Sequence, residues 1–375
     1  MGVTGTGAET YLDWNATTPP HPDVVEAMRA ALHEAWGNPS SVHRAGRRAR
    51  SRLDAARAAV GALLQVDARD LVFTSGGTEA NNLALHSAVG VALSRTEHPS
   101  VVRVAEALAS RGVPVEWIAV TAGGRLPADA LRASLRRLPT GSIAAVSAAN
   151  HETGVIQPLP DLAEAVHAVG GRLHVDAVQG VGKLDASHWR GADTIAVSAH
   201  KIRGPKGIGA LAWRCGAVPQ PLLRGGAQQR GLRAGTLDSA LCAGFGVAAR
   251  WATESVARYA AVRDLRDRWE AAVTEWGNVN GAEEPRLPHV SNVSVSGWLG
   301  DELVAALDLE GVCVSSGSAC SAGSSEVSPV VEEMLGRERA RTAIRVSLGD
   351  ETSAADVDRA IDALHRVLAR NTSSG

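Results

Sequence analysis

The run Ser198-Ala-His-Lys-Ile-Arg-Gly-Pro-Lys-Gly207 lies between two apolar stretches, Thr194–Val197 and Ile208–Trp213. A lysine just past a strand end, held in a Gly/Pro-rich turn, can present its amine to a cleft. Taken alone, the same loop reads as two solvated lysines. The whole chain holds three lysines, Lys183, Lys201 and Lys206, so amine chemistry has three candidates. His174-Val-Asp-Ala-Val-Gln179 ends another apolar stretch with Asp176, which in isolation reads as a helix cap. Thr74-Ser-Gly-Gly-Thr-Glu-Ala-Asn-Asn82 reads as a strand, a glycine turn and a helix start. Gly76 and Gly77 let the backbone approach a ligand, and the N–H groups opening the helix favour an anion such as phosphate. Thr96-Glu-His98 closes the next apolar run and sets an imidazole on the same rim.

A phosphate cradle, an acid, an aromatic ring and a lysine are the parts that pyridoxal 5'-phosphate (PLP) requires. The lysine forms a Schiff base, and the acid keeps the pyridine nitrogen protonated so that the ring takes up electrons. A second constellation is Cys313-Val-Ser-Ser-Gly-Ser-Ala-Cys320-Ser-Ala-Gly-Ser-Ser-Glu-Val-Ser328. Small polar residues and glycine around Cys320 cannot pack a core, so the segment reads as an exposed, mobile loop. A cysteine there suits a nucleophile or a carrier. Cys313 sits in an apolar strand and reads as a buried small hydrophobe, and Cys215 and Cys242 read as structural. No pair of cysteines has zinc or redox spacing, and no metal site is expected.

The elements that must position these residues alternate. Leu71–Phe73, Val113–Val120, Ile143–Ser147, Arg172–Val175, Thr194–Val197 and Ile208–Trp213 read as strands. Arg44–Leu64, Thr78–Val89, Pro99–Ser110, Ala128–Leu138 and Leu159–Val169 read as helices between them. Such alternation predicts an α/β fold, a mostly parallel sheet covered by helices, with its site at the carboxyl ends of the strands. Ser239–Trp276 reads as one long connecting helix, and beyond it a small α+β unit follows. There His289–Val295, Gly311–Ser315 and Ala343–Ser347 read as strands, and Asp301–Leu309, Ser328–Leu335 and Ala354–Ala369 as helices. Residues 12–250 are therefore expected to form a large PLP-binding domain. Residues 251–370, joined by the N-terminal segment 1–11, are expected to form a small domain carrying the cysteine loop, and residues 371–375 a disordered tail.

Composition narrows the class. The chain has 375 residues, with 38 basic and 40 acidic side chains and a formal net charge of -2, which supplies no footprint for nucleic acid or an anionic membrane. No apolar run approaches the roughly 20 residues needed to span a bilayer. The start lacks the basic and hydrophobic segments of a signal peptide. A cytoplasmic protein with reduced thiols is expected.

The ordered motifs closely resemble the cysteine desulfurases of the PLP-dependent class V aminotransferase family, from about Leu12 to about Leu368. Besides the stretches above, the resemblance is carried by Leu12-Asp-Trp-Asn-Ala-Thr-Thr-Pro19, Gly37-Asn-Pro-Ser40, Gly154-Val-Ile-Gln-Pro158 and Arg230-Gly-Leu-Arg-Ala-Gly-Thr236. Ser315–Ser321 is similar to the subgroup with a long mobile cysteine loop. The resemblance implies PLP fold type I and a conversion of L-cysteine to L-alanine. The sulfur would be left as a persulfide on Cys320 and passed to an acceptor protein of unknown identity. It implies that Lys201 binds the cofactor as a Schiff base, with Lys206 the nearest rival. Asp176 would bond the pyridine nitrogen and Gln179 the phenolic oxygen. Gly77, Thr78, Ser198 and His200 would hold the phosphate, joined by Thr236 from the second subunit of a homodimer. His98 would stack on the ring, assist proton transfers and accept the proton of the Cys320 thiol. Arg345 would pair with the substrate carboxylate, near Asn15. His151 stands where the family has an asparagine that contacts the phenolic oxygen, so it would shift the cofactor's titration or the rate. Members that load an iron–sulfur scaffold carry an extension past the last helix. The short stretch before Gly375 therefore points away from iron–sulfur assembly as the main task. The alternatives within the same chemistry are a selenocysteine lyase and another PLP-dependent β-lyase or aminotransferase. The more distant one is a non-catalytic scaffold for sulfur transfer.

Overall fold

The computed structural model describes residues 9–214, 216–317 and 327–372. Through Trp213 the chain forms β1 (Thr10–Tyr11), α1 (Pro22–Glu34), α2 (Arg44–Leu64), β2 (Leu71–Thr74), α3 (Gly77–Leu85), β3 (Val91–Leu93), α4 (Pro99–Ala109), β4 (Val115–Trp117), α5 (Ala128–Leu135), β5 (Ile143–Ser147), α6 (Leu159–His167), β6 (Arg172–Asp176), β7 (Thr194–Ser198) and β8 (Gly209–Trp213). The remainder adds α7 (Ser239–Ala261), α8 (Arg263–Val273), β9 (Gly277–Val279), β10 (Val290–Val295), α9 (Gly300–Leu309), β11 (Val312–Cys313), β12 (Ser315–Ser316), α10 (Pro329–Leu335), α11 (Arg337–Arg341), β13 (Ala343–Ser347) and α12 (Ala354–Thr372).

Seven strands make the main sheet, in the order β2-β8-β7-β6-β5-β3-β4. The pairings between β3, β4, β5, β6 and β7 are parallel, and β8 is antiparallel to both of its neighbours, β7 and β2. Only β8 is reversed. The strand runs read as apolar throughout because both faces are covered. Leu71 and Phe73 of β2 enter one core and Val72 the other; Ala210 and Ala212 of β8 part from Leu211 and Trp213 in the same way.

Helix α2 lays a buried stripe of Leu53, Ala56, Val60 and Leu64 against the first core, at spacings of three and four. The His43 side chain caps its start by accepting from the Gly46 N–H, and Gln65, with φ at 54°, turns the chain out of its end. Helix α7 packs along α2, with Gly246 against Ala56. The second unit is a four-stranded antiparallel sheet, β12-β13-β10-β9, with a parallel β1–β11 pair beside it. Its core gathers Leu12, Tyr259, Trp269, Val293, Ile344, Leu364 and Leu368.

Several boundaries differ from expectation. The continuous helix read over Ser239–Trp276 is two helices broken at Val262 and followed by strand β9. The break lets Trp269 and Val273 face the same core as Tyr259. Residue 250, the expected edge of the large domain, lies inside α7. The helix read as Thr78–Val89 stops at Leu85, because the chain must turn into β3, a strand of three residues too short to show a period. Cys313 is half-buried, not buried: alternation along the chain turns Val312 and Val314 into the core and Cys313 away from it. Helix α12 continues through Thr372, two residues into the expected tail.

Phe245 of α7 is fully buried, its ring centroid 6.1 Å from that of Phe73 in β2. Phe245→Ala should therefore lower the unfolding free energy by about 3–5 kcal/mol, measured by denaturant titration.

Candidate active site

Because β2, β3, β5, β6 and β7 share a direction, their carboxyl ends meet at one rim. The segments leaving them line a cavity of about 250 Å³ that includes Gly77, Thr78, Asn81, His98, His151, Asp176, Gln179, Ser198, His200 and Lys201. Nine of the predicted site residues thus come together. Asn15 and Arg345 sit just behind, Thr236 is exposed and outside this cavity, and Cys320 lies outside the described residues.

Lys201 ends a short 3-10 turn after β7, and its Nζ donates to the carbonyls of Asn15 and Ala16. Lys206 is exposed on the following turn, so the geometry selects Lys201 as the cavity amine. Lys183, which carried no role in the sequence reading, is buried behind it. Its Nζ donates to the Lys201 carbonyl at 2.7 Å and lies 5.4 Å from the centroid of the Tyr259 ring. Burial, and then the charge of Lys201, pull Lys183 down to about 7.

The histidines here are neutral by position. His98 caps α4, and burial lowers it, with Lys201 acting in the same direction and Asp176 against. His151 sits edge-on to it, ring centroids 5.4 Å apart. Burial pushes His151 well below the imidazole range, reinforced by His98, Arg345 and Lys201. Burial and the three lysines hold His200 down to about 4. Three neutral rings, an amine and one carboxylate suit a polar, anionic guest.

Asp176 ends β6, accepting the Val178 N–H at Oδ1 and the Asn81 amide at Oδ2. Asn15 is held on three sides: Nδ2 donates to the His151 carbonyl, Oδ1 faces His289 Nε2, and its carbonyl accepts from Gln179. Arg345 of β13 donates to Asp13 at 2.6 Å and to the His151 carbonyl at 3.0 Å, while its Nε is buried with no partner among the described residues.

Two features test the fit of PLP. Helix α3 opens on Gly76 and Gly77 with no side-chain cap, beside Ser198 and His200, which leaves donors for a phosphate. A Cβ on Gly77 would come within 2.8 Å of Val178 Cγ2 and crowd that approach. The second is Gln179 Oε1 on the cavity wall, a buried polar atom with no partner among the described residues. The residues present fit the group.

Residues 10–360 match the family model described as Aminotransferase class-V. A cysteine desulfurase of Cereibacter sphaeroides is 42% identical over 373 residues, covering 96% of this chain and 95% of the relative. A solved NifS-like protein superposes with a TM-score of 0.87 at 29% identity, over 96% of this chain and 99% of that one. SspA in complex with cysteine superposes at 0.78 with 28% identity, over 90% and 98%. The chain belongs to the class V aminotransferase family and, within it, to the cysteine desulfurases.

Sequence reading missed Asn81 and Ser100 on the cavity wall and Lys183, His174 and Glu97 behind it. Ser100, two residues past His98 at a helix start, carried the one available signal, a capping arrangement. Glu97 is buried next to Asp176 and accepts the Ser147 N–H at 2.8 Å. Burial first, then the Asp176 charge, raise it from 4.5 to about 8. Between those values the folded state holds a proton that the unfolded chain has lost, so stability falls as pH rises through that window. Glu97→Gln should flatten this slope, read from thermal midpoints across the pH range; an unchanged slope would assign it to other groups.

Proposed function

We propose that Lys201 holds PLP in this cavity and that the enzyme converts L-cysteine to L-alanine, with the sulfur carried as a persulfide on Cys320. The observation that carries this reading is the convergence of Lys201, Asp176, His98 and the uncapped start of α3 on one cavity. The chain's similarity to cysteine desulfurases supports it, as does the likeness to SspA in complex with cysteine.

When bound, the cofactor supplies an electron sink that weakens the bond between the substrate's α-carbon and its hydrogen. The chain's residues supply the rest. Gly77, Thr78, Ser198 and His200 would hold the phosphate, Asp176 the pyridine nitrogen, Gln179 and His151 the phenolic oxygen, and His98 would lie against the ring. Arg345, already oriented by Asp13, would receive the substrate carboxylate beside Asn15. Lys201 Nζ would take up the α-proton. The Cys320 thiolate would attack the substrate sulfur, so that an S–S bond forms, the C–S bond breaks and alanine leaves after reprotonation. An acceptor protein would then collect the sulfur.

We read the protein as a cytoplasmic homodimer in which Thr236 completes the partner's phosphate site. Its exposure away from its own cavity supports that assignment. Among the described residues no helix is long and apolar enough to cross a membrane.

Alanine release from L-cysteine with a reductant present tests the reaction. Wild type should release alanine and Cys320→Ala almost none; equal release from both would remove Cys320 as the carrier. Thr236→Ala should lose cofactor faster on dialysis, and unchanged occupancy would sink the shared site.

A further inference from the structure

Two buried residues with no place in the proposed reaction, Asn81 in α3 and Ser100 in α4, decide where His98 keeps its proton. The Ser100 backbone N–H donates to His98 Nδ1 at 3.1 Å. An amide nitrogen can only donate, so Nδ1 is an acceptor and carries no proton. Ser100 Oγ lies 2.7 Å from the same nitrogen. That hydroxyl receives an N–H from Asn81 Nδ2 at 2.8 Å, which leaves its own hydrogen for Nδ1.

The Asn81 amide is oriented in turn. Nδ2 also donates to Asp176 Oδ2 at 2.7 Å, and a reversed amide would set oxygen against oxygen. His174 Nε2 stands 3.0 Å from Asn81 Oδ1 and must donate to it, while its Nδ1 faces the Thr194 hydroxyl at 2.9 Å. Burial holds His174 down to about 4, so the ring stays neutral. From His174 to His98 every hydrogen has one direction.

We propose that Asn81 and Ser100 are positioning residues that fix His98 as a neutral imidazole protonated at Nε2. It is then a hydrogen-bond donor to what enters the cavity, and not the acceptor of a proton from the substrate or from Cys320. A neutral imidazole takes its second proton at its bare nitrogen, and at Nδ1 two donors already point. Nδ1 also caps α4, where the positive end of the helix dipole disfavours an imidazolium. Among the groups facing the ring, Lys201 beyond β7 opposes a second charge and Asp176 at the end of β6 favours it. His151 beyond β5 is edge-on and neutral. A histidine kept neutral beside a helix N-terminus works as an electrophile in other enzymes. Removal of substrate protons then falls to Lys201.

The inference rests on the proposed reaction only in giving His98 a role; its test reads the imidazole and not turnover. The full-length protein would be labelled with 15N-histidine and followed by long-range 1H–15N NMR, with His98 assigned by the loss of its signals in His98→Gln. From about pH 6 to about pH 8, around the ordinary imidazole pKa, Nε2 should carry the proton and Nδ1 should not. A protonated Nδ1, as the other tautomer or as imidazolium, overturns the proposal. In Ser100→Ala, which removes one of the two opposing donors, His98 should gain its second proton about one pH unit higher. Asn81→Leu, which frees the hydroxyl to turn, should shift it in the same direction, and Ser100→Thr should restore it. A midpoint unchanged in both Ser100→Ala and Asn81→Leu overturns the positioning role whatever the activity.

Discussion

Everything at this site depends on the common direction of five strands. A side chain at the carboxyl end of β2, β3, β5, β6 or β7 is delivered to the same rim, so residues far apart in sequence become neighbours. Lys201, Asp176 and His98 are spread over more than a hundred positions and line one cavity. The reversal of β8 follows from the short connection over residues 199–208. A connection that short joins antiparallel neighbours, whereas a parallel step needs a longer crossover, as the segment 177–193 between β6 and β7 supplies. That short return keeps the lysine turn pinned between two strands of the sheet, where a long crossover would have left it loose.

The second constraint is electrostatic. Lys201, Lys183, His98, His151, His200 and Arg345 crowd the cavity and the layer behind it, and burial makes each extra positive charge expensive. The chain answers by keeping its histidines neutral, lowering Lys183 and pairing Arg345 with Asp13. Glu97 behaves in the mirror sense. Buried next to Asp176, it holds its proton, because two adjacent carboxylates without water cannot both ionise cheaply.

The α/β architecture and the first row of the site were legible in the sequence because each part carries a local signal. Arg44–Leu64, Ile143–Ser147 and Ala343–Ser347 appear in the fold with the bounds read from their apolar patterns. Lys201, Asp176 and Gly77 stand at breaks between apolar runs and glycine turns, where the chemistry can be read directly. What stayed hidden is set by tertiary contact. Nothing in the one-dimensional pattern tells that Lys183 donates to the Lys201 carbonyl, or that Asn81 reaches across to Asp176. The break at Val262 was hidden for a similar reason. The local sequence is helical on both sides, and only the need to turn Trp269 toward Tyr259 interrupts it.

The segment Asp13–Thr18 joins these layers. Asp13 holds Arg345 of β13, the Asn15 side chain bonds the His151 carbonyl and His289, and the Asn15 and Ala16 carbonyls receive the Lys201 amine. Thr18 donates to the carbonyl of His200, next to that lysine. A strap of six residues therefore touches the guanidinium expected to meet a substrate carboxylate, the amine expected to carry the cofactor, and the loop of His151. None of these contacts is an exposed ion pair that water would screen, since Asn15 is 1% exposed and Arg345 5%. The strap also leaves β1 at its paired edge with β11, so the small unit and the lysine turn are held by one short piece of chain. Precision at the cavity comes from this shared fastening as much as from the sheet.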